Sequence, residues 1–260
     1  MRIATWNVNS VRTRVERVIA ALQRHDLDVL AMQEIKCKDA QFPRAAFEEA
    51  GYEVATWGEN QWNGVAIASR VGLTNVMRGF AGQPGFAKEG EPVVEARALR
   101  ATCGDLDVWS LYVPNGRELD DPHYAYKLQW LERFADVAAQ AARSGDAMVA
   151  MGDFNVAPRD CDVWSPAFFE GKTHTSAPER AAFAALEEAG LTEVTRPHAS
   201  GYTYWDYQQL RFAKNEGMRI DFALATAPVA QRVTGVLLDR EERKGKGASD
   251  HIPVVIDLAD

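Results

Sequence analysis

One stretch decides the fold that this sequence predicts: Ala147-Met-Val-Ala-Met-Gly-Asp-Phe-Asn155. It opens with an apolar run of the length that is typical of a strand buried on both faces. The run stops at Gly152 and is followed by Asp153 and Asn155. Because side chains two residues apart in an extended chain point the same way, this carboxylate and this amide are expected to face one site. Asp and Asn are also common turn residues after strands, and the pattern alone favours that interpretation.

Other predicted strands end on polar side chains as well. These strand-edge positions are Asn7, Glu34, Tyr112, Asp153 with Asn155, Asp221, and Asp250 with His251. Each has an ordinary structural explanation, such as a turn residue, a solvated ion pair, a tyrosine bonded to backbone or a histidine satisfied in the core. Because so many occur together, we interpret the set as one site. The other histidines have no comparable setting and are predicted to be structural: His25, His123, His174 and His198.

The carboxylates of this set predict a cation site. Glu34 and Asp250 offer hard oxygen ligands, which suit magnesium, with manganese as the alternative ion. Magnesium keeps several waters and is usually held by one or two carboxylates plus a substrate phosphate. The predicted cofactor is therefore Mg²⁺ or Mn²⁺.

The remaining polar groups predict hydrolysis. A buried Asp221 can polarise His251, which can then donate a hydrogen bond to a phosphoryl oxygen. Asp153 can act as general base for a water that Asn155 orients. Together with a cation, these roles predict metal-assisted hydrolysis of a phosphate ester.

Length and composition bound the class of protein. The chain has 260 residues, of which 47% are hydrophobic and 25% charged, as is typical of a soluble globular protein. No apolar run approaches the ~20 residues of a membrane span, and the N-terminus reads as a strand and not as a signal peptide. The three cysteines are scattered, which predicts no disulfide framework or zinc knuckle and suits a reducing cytoplasm.

The net charge of −8, from 37 acidic and 29 basic residues, argues against a protein held on nucleic acid by global charge. It permits a local basic rim around an acidic, metal-filled cleft.

The order of the predicted elements indicates a mixed α/β fold. Strands alternate with helices at the start and in the middle of the chain, and the remaining strands look hairpin-linked. We therefore predict one domain over residues 1–260, with two mixed sheets packed face to face and helices outside. The clearest predicted hairpin joins 93–102 to 106–113, and Ser10 is the predicted N-cap of a helix at 11–25. A doubly wound dinucleotide-binding fold is set aside, because the glycine-rich phosphate-binding motifs of that fold do not occur in this sequence.

The polar strand ends resemble the motifs of a known group, the exonuclease III-type abasic-site endonucleases of the endonuclease/exonuclease/phosphatase superfamily. The likeness runs in order along the chain and rests on Trp6-Asn7-Val8-Asn9, Gln33-Glu34-Ile35-Lys36, Tyr112-Val113-Pro114-Asn115, Gly152-Asp153-Phe154-Asn155 and Ser249-Asp250-His251-Ile252-Pro253. The resemblance implies a four-layer α/β sandwich and a magnesium-dependent hydrolase. It also implies incision of duplex DNA 5′ to abasic sites, with 3′-phosphodiesterase and 3′-to-5′ exonuclease activities in base excision repair.

The resemblance also implies a role for each site residue. Glu34 would hold the metal, helped by Asn7 and Asp250, with Asp153, Asn155 and His251 around it. Asp153 would activate water that Asn155 orients, and Asp221 would buttress His251. Tyr112 and Asn115 would contact the scissile phosphate. The general base is either Asp153 or an ionised Tyr112, and a phenol pKa of about 10 makes the carboxylate the simpler choice.

Two further motifs resemble the substrate pocket of the repair group: Tyr202-Thr203-Tyr204-Trp205 and Lys214-Asn215-Glu216-Gly217-Met218-Arg219-Ile220-Asp221. The DNA-binding residues that they and their neighbours predict are Arg117, Tyr204, Trp205, Arg211, Lys214, Met218 and Ile220, with added positive charge from Arg12, Arg14 and Arg219. The chain departs from the group at Met218, where tryptophan is usual, and at Tyr204, where phenylalanine is frequent.

Two alternatives to a DNA repair nuclease stay open from the sequence. One is a phosphodiesterase or phosphatase of the same superfamily that acts on a small molecule or lipid. The other is a DNA-binding protein without catalysis, which is disfavoured because no metal or base position is missing. We expect a cytoplasmic monomer that acts on double-stranded DNA with abasic sites or blocked 3′ ends and binds no membrane, and the sequence indicates no particular protein partner.

Overall fold

The computed structural model describes residues 1–259. Within them no helix is both long and apolar enough to cross a membrane. The strands are β1 (Arg2–Asn7), β2 (Val29–Gln33), β3 (Glu53–Trp57), β4 (Val65–Ser69), β5 (Thr74–Arg78), β6 (Ala98–Cys103), β7 (Leu106–Tyr112), β8 (Met148–Asp153), β9 (Thr192–Glu193), β10 (Asp221–Ala225), β11 (Val233–Leu238) and β12 (Val254–Leu258). The helices are α1 (Val11–Arg24), α2 (Arg44–Glu49), α3 (Pro122–Ser144), α4 (Pro166–Phe169), α5 (Ala177–Glu188), α6 (Arg211–Lys214) and α7 (Ala227–Ala230). Short 3-10 turns lie at Asp39–Gln41, Asp160–Asp162, Gln208–Leu210 and Arg240–Arg243.

The strands form two six-stranded sheets with the same pattern. The first sheet has the order β11-β12-β1-β2-β4-β3, and the second has the order β5-β6-β7-β8-β10-β9. The central pair of each sheet is parallel, β1 with β2 and β7 with β8, whereas the neighbouring pairs are antiparallel. A parallel pair needs a crossover connection, and α1 and α3 supply it. The last residue of β1, Asn7, contacts the last residue of β8, Asp153, so both parallel pairs end at the same edge of the molecule.

Apolar side chains hold four layers together. The inner faces of the sheets share one core that includes Ile3, Val29, Ile67, Leu99, Val108 and Met151. Helices α1 and α2 cover the outer face of the first sheet through Leu22 and Phe47. Helices α3 and α5 cover the second sheet through Trp130, Phe134 and Phe183. The predicted four-layer α/β sandwich is confirmed.

Three local predictions differ from the structure. The predicted strand at 93–102 begins only at Ala98, although Val93 makes an isolated bridge to Phe86. Ser10 precedes α1 but does not cap it, because its φ of 85° is not the extended conformation of an N-cap and its Oγ bonds Thr13 instead. Strand β5 was not predicted, since all its residues are exposed and it has no buried face to give a pattern.

The close approach of the two central strands of the second sheet generates a test. A Cβ added at Gly152 would lie 1.9 Å from the carbonyl oxygen of Leu111 in β7, and no side-chain rotation relieves a clash with backbone. We expect Gly152→Ala to lower the free energy of unfolding, measured by urea titration, by about 3 kcal/mol or more.

The control is Gly235→Ala in β11, where the added Cβ would meet only Asp257 Oδ2 at 3.6 Å. Its free energy of unfolding should stay within about 0.5 kcal/mol of the parent chain. Equal losses in the two variants would show that the contact with Leu111 is not what restricts Gly152.

Candidate active site

The parallel strand pairs bring their last residues together. Asn7 at the end of β1 is in register with Gln33, the residue before Glu34, and Tyr112 at the end of β7 is in register with Asp153. Asn7 Nδ2 donates to Glu34 Oε1 at 2.8 Å and to Asp153 Oδ2 at 3.0 Å. One amide therefore links a carboxylate of the first sheet to a carboxylate of the second.

Glu34 sits in a tight turn directly after β2. Its φ is 51°, and its carboxylate lies 2.7 Å from Lys36 Nζ. Burial disfavours the charged carboxylate, but Lys36 and the Asn7 amide outweigh burial and hold the pKa of Glu34 below its ordinary value. Glu34 is thus an anion pointing into the site.

His251 is held between two aspartates. Its Nδ1 lies 2.9 Å from Asp221 Oδ2, and its Nε2 lies 3.7 Å from Asp153 Oδ2. Burial lowers the pKa of His251, but Asp221 and Asp153 raise it further, to about 10. The imidazole is therefore protonated, with one N–H fixed on Asp221 and the other directed into the site.

Asp153 is a buried carboxylate among charges. Burial raises its pKa to about 7, assisted by the negative charges of Asp221 and Glu34 and opposed by His251. Its Oδ1 accepts a hydrogen bond of 2.9 Å from the backbone N–H of Asn155, which fixes its orientation. A carboxyl group with a pKa near neutrality suits proton transfer.

Two amides line the second sheet's side of the site. Asn155, at a φ of 51°, donates from Nδ2 to the carbonyl of Val113 at 3.0 Å. Its Oδ1 accepts a 3.1 Å hydrogen bond from Asn115 Nδ2. The two loops that follow β7 and β8 are thereby joined side chain to side chain.

Tyr112 lies over a buried arginine. The guanidinium of Arg97 is 4.8 Å from the centre of the Tyr112 ring, and Glu95 pairs with that guanidinium at 2.6 Å. Burial, reinforced by the charge of Glu34, raises the pKa of Tyr112 well above its ordinary value. In this arrangement the phenol keeps its proton.

The donor set fits a divalent cation. A carboxylate oxygen of Glu34, a carboxylate oxygen of Asp153 and a ring nitrogen of His251 lie within 4.8 Å of one another. Because both ring nitrogens of His251 carry hydrogens here, the two carboxylates are the candidate ligands, and the predicted role of His251 as a metal ligand does not fit this structure. The three acids Glu34, Asp153 and Asp221 outnumber the nearby cations, so the chemistry of the site favours a bound positive charge. Asp250, also predicted as a ligand, accepts a 3.0 Å hydrogen bond from Asn9 instead. Asn7 turns its Nδ2 to the carboxylates, while its Oδ1 accepts from the backbone of Asn9.

An apolar wall borders the site. Met218 and Ile220 are buried in one cluster with Ala157, Val163 and Phe169, and Tyr204 packs against it. The Tyr204 ring lies 4.8 Å from the His251 ring, so this wall adjoins the charged centre. The structure thus brings together the three residues predicted to wall the pocket.

Three predicted DNA contacts are wrong because their side chains are buried. Ile220 is only 2% exposed and lies inside the apolar cluster. Trp205 is only 2% exposed and packs against Tyr202 and Phe212, while its backbone N–H holds the carbonyl of Asp250. Arg219 is also 2% exposed and donates to Thr195. Trp205 and Arg219 therefore lie behind the apolar wall and not on its exposed face.

The other basic residues lie nearer the surface. Arg117 is half exposed and pairs loosely with Asp121 at 3.6 Å. Arg211 lies 4.9 Å from the rings of both Trp164 and Phe168 and pairs with Glu216. The remaining predicted cations with exposed or partly exposed side chains are Arg12, Arg14 and Lys214.

A polar network beneath the Asn115 and Asn155 side chains was not predicted from the sequence. Lys127 and Glu179 form a buried ion pair there, and His174, predicted to be merely structural, bonds the carbonyl of Asn155 at 2.6 Å. A signal was present, because Lys127 occupies the buried stripe of α3 between Tyr126 and Trp130. A lysine at such a position needs a buried partner.

Comparison with known proteins agrees with this geometry. Residues 4–251 match the Endonuclease/Exonuclease/phosphatase family. The chain belongs to this family. Exodeoxyribonuclease III of Haemophilus influenzae is 28% identical, over 98% of each chain. An AP endonuclease from Archaeoglobus fulgidus is 36% identical, with a TM-score of 0.91 over 99% of each chain. A 3′ phosphatase from Neisseria, NExo, bound to a product DNA hairpin, is 32% identical, with a TM-score of 0.91 over all of both chains.

The resemblance seen in the sequence is confirmed, and so is its consequence that the protein is an enzyme. Glu34 and Asp153 lie at the ends of central strands and His251 precedes β12, and all three fall within the matched residues 4–251.

The donor set generates a prediction for the protein without substrate. Adding Mg²⁺ to metal-free protein should raise its melting temperature, because an ion that binds only the folded state stabilises it. At ten times the dissociation constant, the gain is about 1.4 kcal/mol, or about 3–5 °C for a chain of this size.

Glu34→Gln should abolish this thermal shift. Glu193→Gln, which changes a buried carboxylate bonded to Thr195 outside the site, should keep it. A shift that persists in Glu34→Gln would place the ion elsewhere.

Proposed function

We propose that the protein is a metal-dependent DNA repair nuclease that hydrolyses phosphodiester bonds 5′ to abasic sites and removes blocking groups from 3′ ends. The observation that carries the proposal is the arrangement of Asp153, His251 and Asp221. A carboxyl group able to take a proton faces a protonated histidine whose other N–H is fixed by a buried carboxylate. This places a base and a hydrogen-bond donor on either side of one position, as attack of water on a phosphate requires.

Each neighbouring residue has a proposed part in this step. Asp153 accepts the proton of the attacking water, and Asn155 orients that water. His251 donates a hydrogen bond to a non-bridging phosphoryl oxygen, and Asn115 contacts the same phosphate. Glu34 and Asp153 would hold a magnesium or manganese ion through their carboxylate oxygens. Such an ion neutralises negative charge on the phosphate when bound.

The pKa values favour Asp153 over Tyr112 as the base. Ionising Tyr112 would create a phenolate that is buried and close to Glu34, and its pKa is raised accordingly. The pKa of Asp153 is about 7, so a large fraction is ionised at neutral pH. Tyr112 is therefore proposed to contact the phosphate as a neutral hydrogen-bond donor.

Double-stranded DNA is the proposed substrate because of the site's surroundings. The wall of Met218 and Tyr204, with Ile220 buried behind it, is apolar and close to His251, as suits a sugar that has lost its base. The relatives support the same substrate class, since one is named an AP endonuclease and another a 3′ phosphatase bound to a DNA hairpin. The cytoplasmic location and the monomeric state stay predictions.

One assay tests the proposed function. A duplex with one abasic site and a duplex with a 3′-terminal phosphate are incubated with the protein and magnesium, or with chelator. An inositol phosphate serves as the small-molecule substrate. Cleavage of DNA that chelator abolishes is expected. Turnover of inositol phosphate without cleavage of either DNA would replace the proposal with a small-molecule phosphatase.

The proposed base generates the first kinetic prediction. Asp153→Asn keeps the shape of the side chain but cannot take a proton, so kcat should fall by roughly 10²-fold or more. Binding of abasic DNA, followed by fluorescence anisotropy, should survive. A loss of less than a few-fold in kcat would make Tyr112 the candidate base.

The apolar wall generates the second kinetic prediction. Met218→Ala should lower incision at an abasic site clearly more than release of a 3′-terminal phosphate. Only the abasic substrate places its sugar against the apolar wall to which Met218 belongs. One apolar contact discriminates by about 1–3 kcal/mol, so the loss should be partial.

The matched control for Met218 is Val163→Ala in the same cluster, which removes apolar volume next to Met218. If Met218 serves packing alone, both variants should lose melting temperature and affect the two substrates equally. That result would remove Met218 from the substrate pocket.

A further inference from the structure

A buried ammonium group lies directly beneath the two loops that carry the site amides. The side chain of Lys127, in α3, is fully buried. Its Nζ donates to the backbone carbonyl of Asn155 at 2.6 Å, to the carbonyl of Asn115 at 3.1 Å and to the carboxylate of Glu179. All three hydrogens of the ammonium are thus used, and two of them hold main-chain atoms of site residues.

The surroundings of Lys127 are shaped to accept it. The Glu179 carboxylate also accepts from Thr173 Oγ1 at 2.8 Å and from the backbone N–H of His174 at 2.9 Å. Gly116 has a φ of 90°, and a Cβ there would lie 3.1 Å from Cδ of Lys127. The chain therefore uses a glycine where the loop after β7 must approach the lysine.

His174 completes the support of the same carbonyl. Its Nδ1 lies 2.6 Å from the oxygen of Asn155, and because a carbonyl only accepts, Nδ1 must carry the hydrogen. Burial, reinforced by the charge of Lys127, lowers the pKa of His174 to about 4, so the ring is neutral. The Asn155 carbonyl is consequently held by two donors from two different elements.

We propose that Lys127 is a positioning residue, which sets the Asn115 side chain on the substrate phosphate and the Asn155 side chain on the attacking water by holding the carbonyls of both residues. This inference rests on the proposed function. The two loops also bond each other directly, through Asn115 with Asn155, Asn155 with the carbonyl of Val113, and the N–H of Val113 with the carbonyl of Asp153. Within residues 1–259, Lys127 is the side chain that donates to a main-chain carbonyl of both loops. Small displacements of such groups are costly, because a shift of about 1 Å can lower the rate about 10²-fold.

An ion pair that only stabilises the fold would behave differently. Removing one partner of a buried pair leaves an uncompensated charge, whereas replacing both partners by neutral groups of similar size is frequently neutral for stability. Stability and activity can therefore be separated by comparing a single with a double substitution.

The experiment uses Lys127→Met and the double variant Lys127→Met with Glu179→Gln. The single variant should lose melting temperature, and the double variant should regain most of it. In the double variant, kcat on the DNA substrate should stay about 10- to 100-fold below that of the parent chain, with KM within about 3-fold. Recovery of kcat together with melting temperature would overturn the proposal.

A readout without substrate accompanies the kinetics. Hydrogen exchange of residues 113–117 and 153–157 should be faster in the double variant than in the parent chain, because both loops have lost a common donor. Unchanged exchange in both loops would also overturn the proposal. If the parent chain cleaves no DNA, the proposed function fails, whereas the exchange result still decides whether Lys127 holds the loops.

The matched control is a second ion pair, Arg17 with Glu242, which joins α1 to the turn at Arg240–Arg243 at 2.9 Å. Arg17→Met with Glu242→Gln should leave kcat within about 2-fold and should not change exchange in the site loops. If this control lowers kcat as strongly as the Lys127 double variant, the effect is general and Lys127 has no positioning role.

Discussion

The amide of Asn7 is the contact on which the site depends. It donates one hydrogen to Glu34 and the other to Asp153, so a single neutral group satisfies a buried carboxylate from each sheet. Burying two carboxylates side by side without donors would cost several kcal/mol, and a lysine at this position would neutralise the charge that a cation needs. An asparagine satisfies the oxygens and leaves the negative charge in place. The last residues of the two sheets can therefore meet at one point.

The meeting point follows from the repeated strand order of the two sheets. Each sheet has a central parallel pair, in which Asn7 ends β1 as Tyr112 ends β7. Glu34 lies one residue beyond Gln33, which is the position in the first sheet that corresponds to Asp153. Their surroundings differ, and so does their chemistry. Lys36 beside Glu34 keeps the pKa of Glu34 low, whereas burial, reinforced by the charge of Asp221, raises the pKa of Asp153. Two carboxylates at the ends of corresponding strands are thus set up for different tasks, one suited to hold a cation and the other to take a proton.

Much of the site could be predicted because its side chains lie at the ends of buried strands, and these ends are readable where an apolar run starts or stops. Asp153, Asp221 and His251 were found in this way and do meet. The burial of Trp205 could not be read from the sequence, since an aromatic residue beside a charged segment looks the same on the surface and in the core. Lys127 was missed for a related reason. Its partners, Glu179 and two main-chain carbonyls, are far apart in sequence, and a carbonyl leaves no trace in residue identity. Strand β5 was missed because an exposed edge has no pattern of burial to detect.

Electrostatics explains how a chain with a net charge of −8 could use an acidic site on its proposed substrate, DNA, which is also negatively charged. The acids at the centre are already partly compensated, Glu34 by Lys36 and Asp153 by His251, and the rim carries partly exposed arginines such as Arg117 and Arg211. The residual negative charge is therefore confined to a small volume between Glu34 and Asp153. Within that volume a phosphate would be repelled unless a cation came with it, since exposed charges farther away are screened over about 10 Å. This residual charge makes the proposed binding of a cation and of a phosphate favour each other, which is the physical reason to expect that hydrolysis at this site depends on a metal ion.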